Sequence, residues 1–279
     1  MRIDFAGGTT DIAPFTHKYG GAVLNAGINR YVVGKIVKTD KFVHLEYKGN
    51  TPTSSGLGTS GVMNLVWLAL ISQMKLNKKG GIKAKTKKEL AEMVYDLEQA
   101  MGIVGGKQDQ YAAAFGGINY LEFKGDKVNI FPLKLRESFI KKLEDNLILV
   151  YTGAPHLATS SNAKSIENMK KGKNVNHLIR LRDIAKEMKN ALLKEDLEKF
   201  SGLMNEETLE RKKLHEGMLP KKVEEFLKKG FSNGASGVKL CGSGSGGSIL
   251  FFGDKTRLKK AFGKSVIDFR FDFEGLKWV

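Results

Sequence analysis

Glycine placement constrains this chain more than any other feature. Of its 279 residues 32 are glycine, and they gather at Gly7–Gly8, Gly20–Gly21, Gly56–Gly61, Gly102–Gly106, Gly116–Gly117 and Gly234–Gly247. A residue without a β-carbon takes positive φ readily and lets backbone approach a ligand closely. Several separate clusters therefore point to loops converging on one site. Such loops need a scaffold, and a chain that is 41% hydrophobic can bury a real core, which sets intrinsic disorder aside.

Other classes fall away just as quickly. The longest apolar stretch, Val62 to Ile71, contains Asn64 and is about half of the roughly 20 residues a bilayer needs, so no membrane partner is expected. No basic-then-apolar leader opens the chain. The single cysteine, Cys241, rules out an internal disulfide and fits a reducing cytoplasm. Forty-six Lys and Arg against thirty acids give a net charge of +16, which would attract polyanions. The lysines fall mostly in spaced pairs, such as Lys212–Lys213 and Lys228–Lys229, without a basic arm of interleaved aromatics. A solvated surface explains that pattern, and no nucleic-acid partner is expected.

Along the chain, Arg2–Ala6 alternates and runs into a turn at Gly7–Asp11. Val23 to Lys38 and Phe42 to Tyr47 read as two further strands. A Ser/Thr/Gly loop, Thr51 to Ser60, opens into an apolar helix over Val62 to Met74. The spacing predicts an amphipathic helix over Thr86 to Met101, capped by Thr86 with Glu89 three residues on, and with Leu90, Val94 and Leu97 on one face. Asn119–Phe123, Lys127–Ile130 and Leu147–Tyr151 are strand-like. Helical patterns then dominate: Val175–Lys194, Asp196–Leu214 and Lys221–Lys229. Strand at Ser248–Phe252, a short basic helix around Arg257–Phe262 and a closing strand at Val266–Phe271 complete the reading. Strand-rich then helix-rich, without βαβ alternation, predicts an α+β fold of two lobes, residues 1–153 and 154–279.

Three glycine loops carry chemistry. Gly56-Leu57-Gly58-Thr59-Ser60-Gly61 spells G-x-G-x-x-G, yet polar Asn50–Ser55 stands where a dinucleotide fold needs a hydrophobic strand. No acid follows Gly56 before Glu89, whereas a ribose-binding acid belongs about 20 residues on. What remains is a hydroxyl-bearing loop at a helix N-terminus, which offers N–H groups and a positive dipole to a phosphate or simply caps the helix. A Walker A sequence, D-F-G and H-R-D are all absent. The second loop, Gly242-Ser243-Gly244-Ser245-Gly246-Gly247, allows backbone to pass close to substrate phosphates or to the first loop. The third, Gly105-Gly106-Lys107-Gln108-Asp109-Gln110-Tyr111, places an acid where it could deprotonate a hydroxyl or cap a helix. Glu98, eleven residues before Asp109, could approach a metal.

Taken jointly, these motifs resemble the GHMP kinase superfamily, and within it the D-glycero-D-manno-heptose 7-phosphate kinases. The resemblance rests on Arg2-Ile-Asp-Phe-Ala-Gly-Gly-Thr-Thr-Asp11, on Pro52-Thr-Ser-Ser-Gly-Leu-Gly-Thr-Ser60 and on Lys239-Leu-Cys-Gly-Ser-Gly-Ser-Gly-Gly247. The heptose-kinase character comes from residues 105–117 and from Phe271-Asp-Phe-Glu-Gly-Leu276. It implies a two-lobed GHMP fold and transfer of the γ-phosphoryl group of ATP, with Mg2+, to a hydroxyl of a sugar or sugar phosphate. The implied acceptor is D-glycero-D-manno-heptose 7-phosphate at C1, with fucose or another free sugar as the alternative, or a non-catalytic relative that only binds nucleotide or sugar. Under that resemblance Asp109 and Arg2 are catalytic, and Ser55, Gly56, Leu57, Gly58, Thr59 and Ser60 hold ATP. Ser60 and Glu98 meet the metal. Gly8, Thr10, Asp11, Lys107, Gly242, Gly244 and Ser245 meet the substrate, and a homodimer is compatible. The chain departs from the family in two places. Only about forty residues separate Asp11 from Pro52, fewer than relatives carry. His156 stands in Tyr151-Thr-Gly-Ala-Pro-His156 where relatives tend to have arginine.

Overall fold

The computed structural model describes the whole chain except residues 41, 53, 73–79, 82 and 155–157, so Thr53, Met74 and His156 lie outside the described residues. β1 (Arg2–Ala6) leads through the first glycine turn to α1 (Phe15–Tyr19) and β2 (Gly21–Gly27), followed by the hairpin β3 (Val32–Lys38) and β4 (Val43–Gly49). The expected strand from Val23 to Lys38 is thus two strands. The break falls where Ile28 donates to Met1 O and Asn29 to Arg270 O, turning the chain out of its sheet. α2 (Thr59–Ser72), β5 (Gly80–Gly81), α3 (Ala84–Ala100) and α4 (Gln108–Phe115) come next, then β6 (Ile118–Lys124), β7 (Lys127–Pro132), α5 (Glu137–Asn146) and β8 (Leu147–Tyr151). Thr86 does not cap α3: the helix starts two residues earlier, after Lys83, with no side-chain cap bond. The remainder is α6 (Ala158–Lys170), α7 (Val175–Leu193), α8 (Leu197–Lys212), α9 (Lys221–Ser232), β9 (Ala235–Leu240), β10 (Ser248–Gly253), α10 (Lys255–Phe262), β11 (Val266–Ile267) and β12 (Lys277–Trp278). The closing strand is short because Phe269 and Phe271 turn into the core; Phe271 keeps only an isolated bridge to Ile28.

Two antiparallel four-stranded sheets organise these elements, one ordered β1-β2-β6-β7 and the other β11-β8-β10-β9. β8, which a division at residue 153 assigns to the first lobe, is hydrogen-bonded within the second sheet. A division by sheets therefore falls between β7 and β8. On one face of the first sheet Val23 and Leu121 pack with Leu65, Ala69, Leu90, Val94 and Tyr111 from α2, α3 and α4. On its other face Ile3, Phe5 and Leu24 share a core with Ile184 of α7, Phe200 of α8, and Leu149 and Leu250 of the second sheet. The two sheets thus share apolar core.

All five residues of β1 are buried, Arg2 and Asp4 included. Strand alternation puts Ile3 and Phe5 on the core side and Arg2 and Asp4 on the opposite one. Helix α8 is likewise enclosed, with buried Glu207, Thr208 and Arg211 alongside Phe200 and Met204. Among the described residues no helix is long and apolar enough to cross a membrane.

Candidate functional site

The three glycine loops do converge, and the contacts explain why they are glycine. Gly56 has φ +76°, and a β-carbon there would lie 3.0 Å from Cys241 O; one on Gly247, φ +77°, would lie 2.7 Å from Ser55 O. The loop at 242–247 therefore closes directly on the loop at 55–58, one of the two partners its composition allowed. Cys241 is buried in that seam, which pushes its thiol up to about 12 and leaves it inert.

Beside this seam opens a polar cleft of about 250 Å³, bounded by Arg2, Asp11, Ser55, Ser60, Glu98 and Asp109 among others. A larger cavity of about 370 Å³ runs along the apolar flank of α2 past Val32, Leu65, Val66 and Trp278. The polar cleft is the candidate site, because it gathers the titratable groups.

Arg2 and Asp109, 107 positions apart, meet in this cleft. Arg2 Nε and Nη2 both reach Asp109 Oδ1, at 2.7 and 2.6 Å, and Nη1 donates to Gly56 O at 2.7 Å. Asp109 sits in the first turn of α4, not at its cap, with its side chain 29% exposed. Gly58, φ +73°, lies against it: a β-carbon there would come within 3.1 Å of the carboxylate. The N-terminal turn of α2, with Thr59 and Ser60, faces the same space.

Glu98, at the end of α3, is buried. Its Oε1 accepts from Asn64 Nδ2 at 3.1 Å and its Oε2 from Gln110 Nε2 at 2.5 Å. Burial pushes its carboxyl up to about 6 despite those bonds, with Asp109 adding to the rise. Asp11 is also pushed up to about 6, chiefly by burial; Oδ2 accepts from Gln108 N at 3.0 Å, while Oδ1 is buried without a partner. Gln108 Oε1, Gln110 Oε1 and Ser55 Oγ are buried and unpartnered too. These enclosed polar atoms lie just behind the cleft wall, in residues that border it.

Not every expected residue reaches the cleft. Thr10 lies beneath it, its hydroxyl within donating distance of Gly7 O and Ala22 O, at 2.7 and 2.9 Å, and accepting from Ala22 N. Lys107 is held away by Glu92 at 2.6 Å and Asp126 O at 2.9 Å. Leu57 is wholly buried, Gly244 packs on Met218 and Arg211, and Ser245 Oγ is buried without a partner. Gly8 lies over Asp4, Gln108 and Arg211, whereas Gly242 lines the cleft. Gln108, Gln110, Thr9 and Asn162 line it without having been singled out from sequence. Two glutamines beside an acid after Gly-Gly were the available signal for the first pair. Thr9 adopts φ 79°, a strained conformation for a β-branched residue and of a kind that clusters at functional sites.

Gly106 gives a direct prediction. A β-carbon there would fall inside the Asp11 carboxylate. Gly106→Ala should displace Asp11 or the backbone at 105–106, an overpacking that should cost about 1–3 kcal/mol of stability. Denaturant unfolding of the variant beside the wild type checks this.

The family models for the GHMP kinases N terminal domain and the GHMP kinases C terminal match residues 26–117 and 188–264. The chain belongs to the GHMP kinases. As a GHMP kinase it is a phosphotransferase with a hydroxyl acceptor and ATP as donor, within the sugar kinases of the family. It is 29% identical over 337 aligned residues to the D-glycero-alpha-D-manno-heptose 7-phosphate kinase of Campylobacter jejuni, covering 99% of this chain and 96% of that protein. That alignment is longer than the chain, so the relative carries segments this GHMP kinase lacks. It is 29% identical over 238 residues to a bifunctional fucokinase/GDP-fucose pyrophosphorylase of Arabidopsis thaliana, covering 82% of this chain but 22% of that one. Among solved structures, a D-glycero-D-manno-heptose 1-phosphate kinase from Bacteriodes thetaiotaomicron superposes with a TM-score of 0.73 at 25% identity, over 99% of this chain and 95% of the other.

Proposed function

We propose that this GHMP kinase transfers the γ-phosphoryl group of ATP to D-glycero-D-manno-heptose 7-phosphate at C1, with Asp109 and Arg2 as its catalytic residues. The observation that carries this reading is the Arg2–Asp109 pair set against the glycine loop and the N-terminus of α2. Free N–H groups of that turn, with Thr59 and Ser60, would cradle the ATP phosphates. Asp109 would take the proton of the acceptor hydroxyl as its oxygen forms the new bond to phosphorus and ADP leaves. Arg2 would stabilise charge on the transferring group, so that most of the catalysis is positioning and electrostatics. With ATP as donor, we assign the reaction to the cytoplasm.

A Mg2+ ion fits this arrangement. The hard oxygen donors of Glu98 and Ser60 face the cleft, and each Glu98 oxygen accepts one amide bond with lone-pair capacity to spare. Among the described residues no three His, Cys, Asp or Glu are grouped to hold a metal, so phosphate oxygens would have to complete its coordination. Bound there, Mg2+ would neutralise phosphate charge. Ser60→Ala should raise the Mg2+ concentration needed for half-maximal rate; an unchanged requirement in a Mg2+ titration would move the metal elsewhere.

One observation favours a second acceptor class. Among the described residues lining the cleft, Asp11, Glu98 and Asp109 face Arg2 as the sole Lys or Arg. So little positive charge suits an uncharged sugar such as fucose. ADP release with Mg-ATP across heptose 7-phosphate, fucose, mannose and galactose separates the readings. Turnover on heptose 7-phosphate supports the first and turnover on a free sugar the second. ATP binding without turnover on any acceptor would point to a non-catalytic role.

A further inference from the structure

Arg2 is held from behind as well as in front. Asp4, two residues along β1 and fully buried, lies with its Oδ1 3.8 Å from Arg2 Nη1. The same oxygen accepts from Gly242 N at 3.0 Å, and Oδ2 accepts from Lys239 Nζ at 3.0 Å. Lys239, fully buried on β9, lies 3.4 Å from Glu207 Oε2. Glu207 also binds Arg211, whose Nη2 donates to Gly8 O at 2.9 Å. A chain of charges thus runs from the second sheet and α8 to the cleft. Asp4 and Lys239 stand in two of the motifs quoted above without a role assigned to either, and Glu207 and Arg211 lie outside all of them.

Complete burial of so many charges is not a stabilising choice in itself, since well-packed apolar residues often serve as well or better. The geometry suggests what the charges do here. Arg2 touches Asp109 through Nε and Nη2, both on Oδ1; none of its hydrogen bonds reaches Oδ2. An unrestrained guanidinium prefers the two-pronged arrangement that occupies both carboxylate oxygens. The third nitrogen, Nη1, is drawn the other way by Gly56 O and by Asp4.

We propose that Asp4, charge-paired with Lys239, is a positioning residue that holds Arg2 back from closing on both oxygens of Asp109. Oδ2 of Asp109 is thereby left for the acceptor hydroxyl. Because the Asp4 carboxylate also binds Gly242 N, the orientation of Arg2 is tied to seating of the 242–247 loop on the loop at 55–58. The proposal rests on the assignment of Arg2 and Asp109 as catalytic residues.

The test is Asp4→Asn alone and combined with Lys239→Met, with kcat, ATP KM and Tm measured for each full-length protein. The single variant leaves the buried cluster with one cation in excess, Glu207 alone remaining between Lys239 and Arg211, and should lower both Tm and kcat. The double variant removes the pair together and should recover Tm while kcat stays down by about a hundredfold, the scale of a small misplacement at the reacting centre, with ATP KM little changed. Recovery of kcat together with Tm would overturn the proposal and leave the pair a purely structural element. Should the double variant not fold, Asp4→Asn assayed well below its own Tm decides: reduced kcat supports the role and wild-type kcat overturns it. Arg2→Met, made in parallel, isolates the underlying assignment. Full activity in that variant would remove Arg2 from catalysis and the proposal with it, whereas an inactive Arg2→Met beside an active double variant would overturn the role of Asp4 alone.

Discussion

Asp109→Asn should lower kcat by about a thousandfold, the middle of the range for loss of a general base, and leave ATP affinity within a few-fold of wild type. The asymmetry follows from where the carboxylate sits. It faces the cleft from the first turn of α4, while the loop expected to hold ATP phosphates keeps its shape through Arg2, Gly56 and Gly247. Asparagine can still accept from Arg2 but cannot take up the acceptor proton. An ADP-release assay gives kcat, and calorimetric titration with ATP gives affinity. Near-normal turnover would remove Asp109 as the base. A collapse of ATP affinity instead would mean that the pair shapes the nucleotide site.

Asp11→Asn should make the ligand-free protein more stable and a poorer enzyme. Burial pushes the Asp11 carboxyl up to about 6 in the folded chain, against about 3.9 when unfolded. A carboxyl whose folded value is raised favours folding fully below the unfolded value, and that contribution is lost as pH rises through the folded one. The wild-type protein should therefore lose stability from this group between about pH 4 and pH 6, in total up to about 3 kcal/mol. Asparagine has no such dependence. Denaturant unfolding at pH 4.5 and pH 7.5 should show a gap between the two proteins that widens at the higher pH. The acceptor KM should rise as well, because Asp11 borders the cleft and supports Gln108 N from within it. A gap independent of pH would mean that Asp11 ionises in the fold as easily as in water.

The parts of this molecule written in local chemistry could be read from sequence. The glycine loops at 7–8, 56–61, 105–106 and 242–247, β1 and the apolar helix α2 all came from motifs whose meaning survives without neighbours, whereas Arg2 and Asp109 were named singly, by resemblance, and their contact shows only in the fold. Helix α5 was not read and α4 was only one of two readings of Asp109: at 10 and 8 residues they are too short for the periodicity that revealed the 17-residue α3, and Lys107 and Arg136 begin them with no side-chain cap. Thr10 and Lys107 illustrate the opposite limit. Each stands in a motif that suggests ligand contact, but Ala22 and Glu92, which engage them, are known only once the chain is folded. The charge chain Asp4–Lys239–Glu207–Arg211 was hidden for a similar reason. In a chain with 46 basic residues nothing marks Lys239 and Arg211 as buried.

The closeness of the loops at Gly56, Gly106 and Gly247 bears on how this enzyme could change over time. Much of its working surface is bare backbone, which point mutation cannot adjust in small steps, since the first added carbon at these positions already collides. New acceptor preferences would have to arise around that frame, at side chains such as Gln108, Gln110 and Asn162 that line the cleft on other elements. A saturation library selected for turnover on a new sugar should therefore return its winners from those positions. Its blanks should fall where the wild-type residue has no side chain to lose.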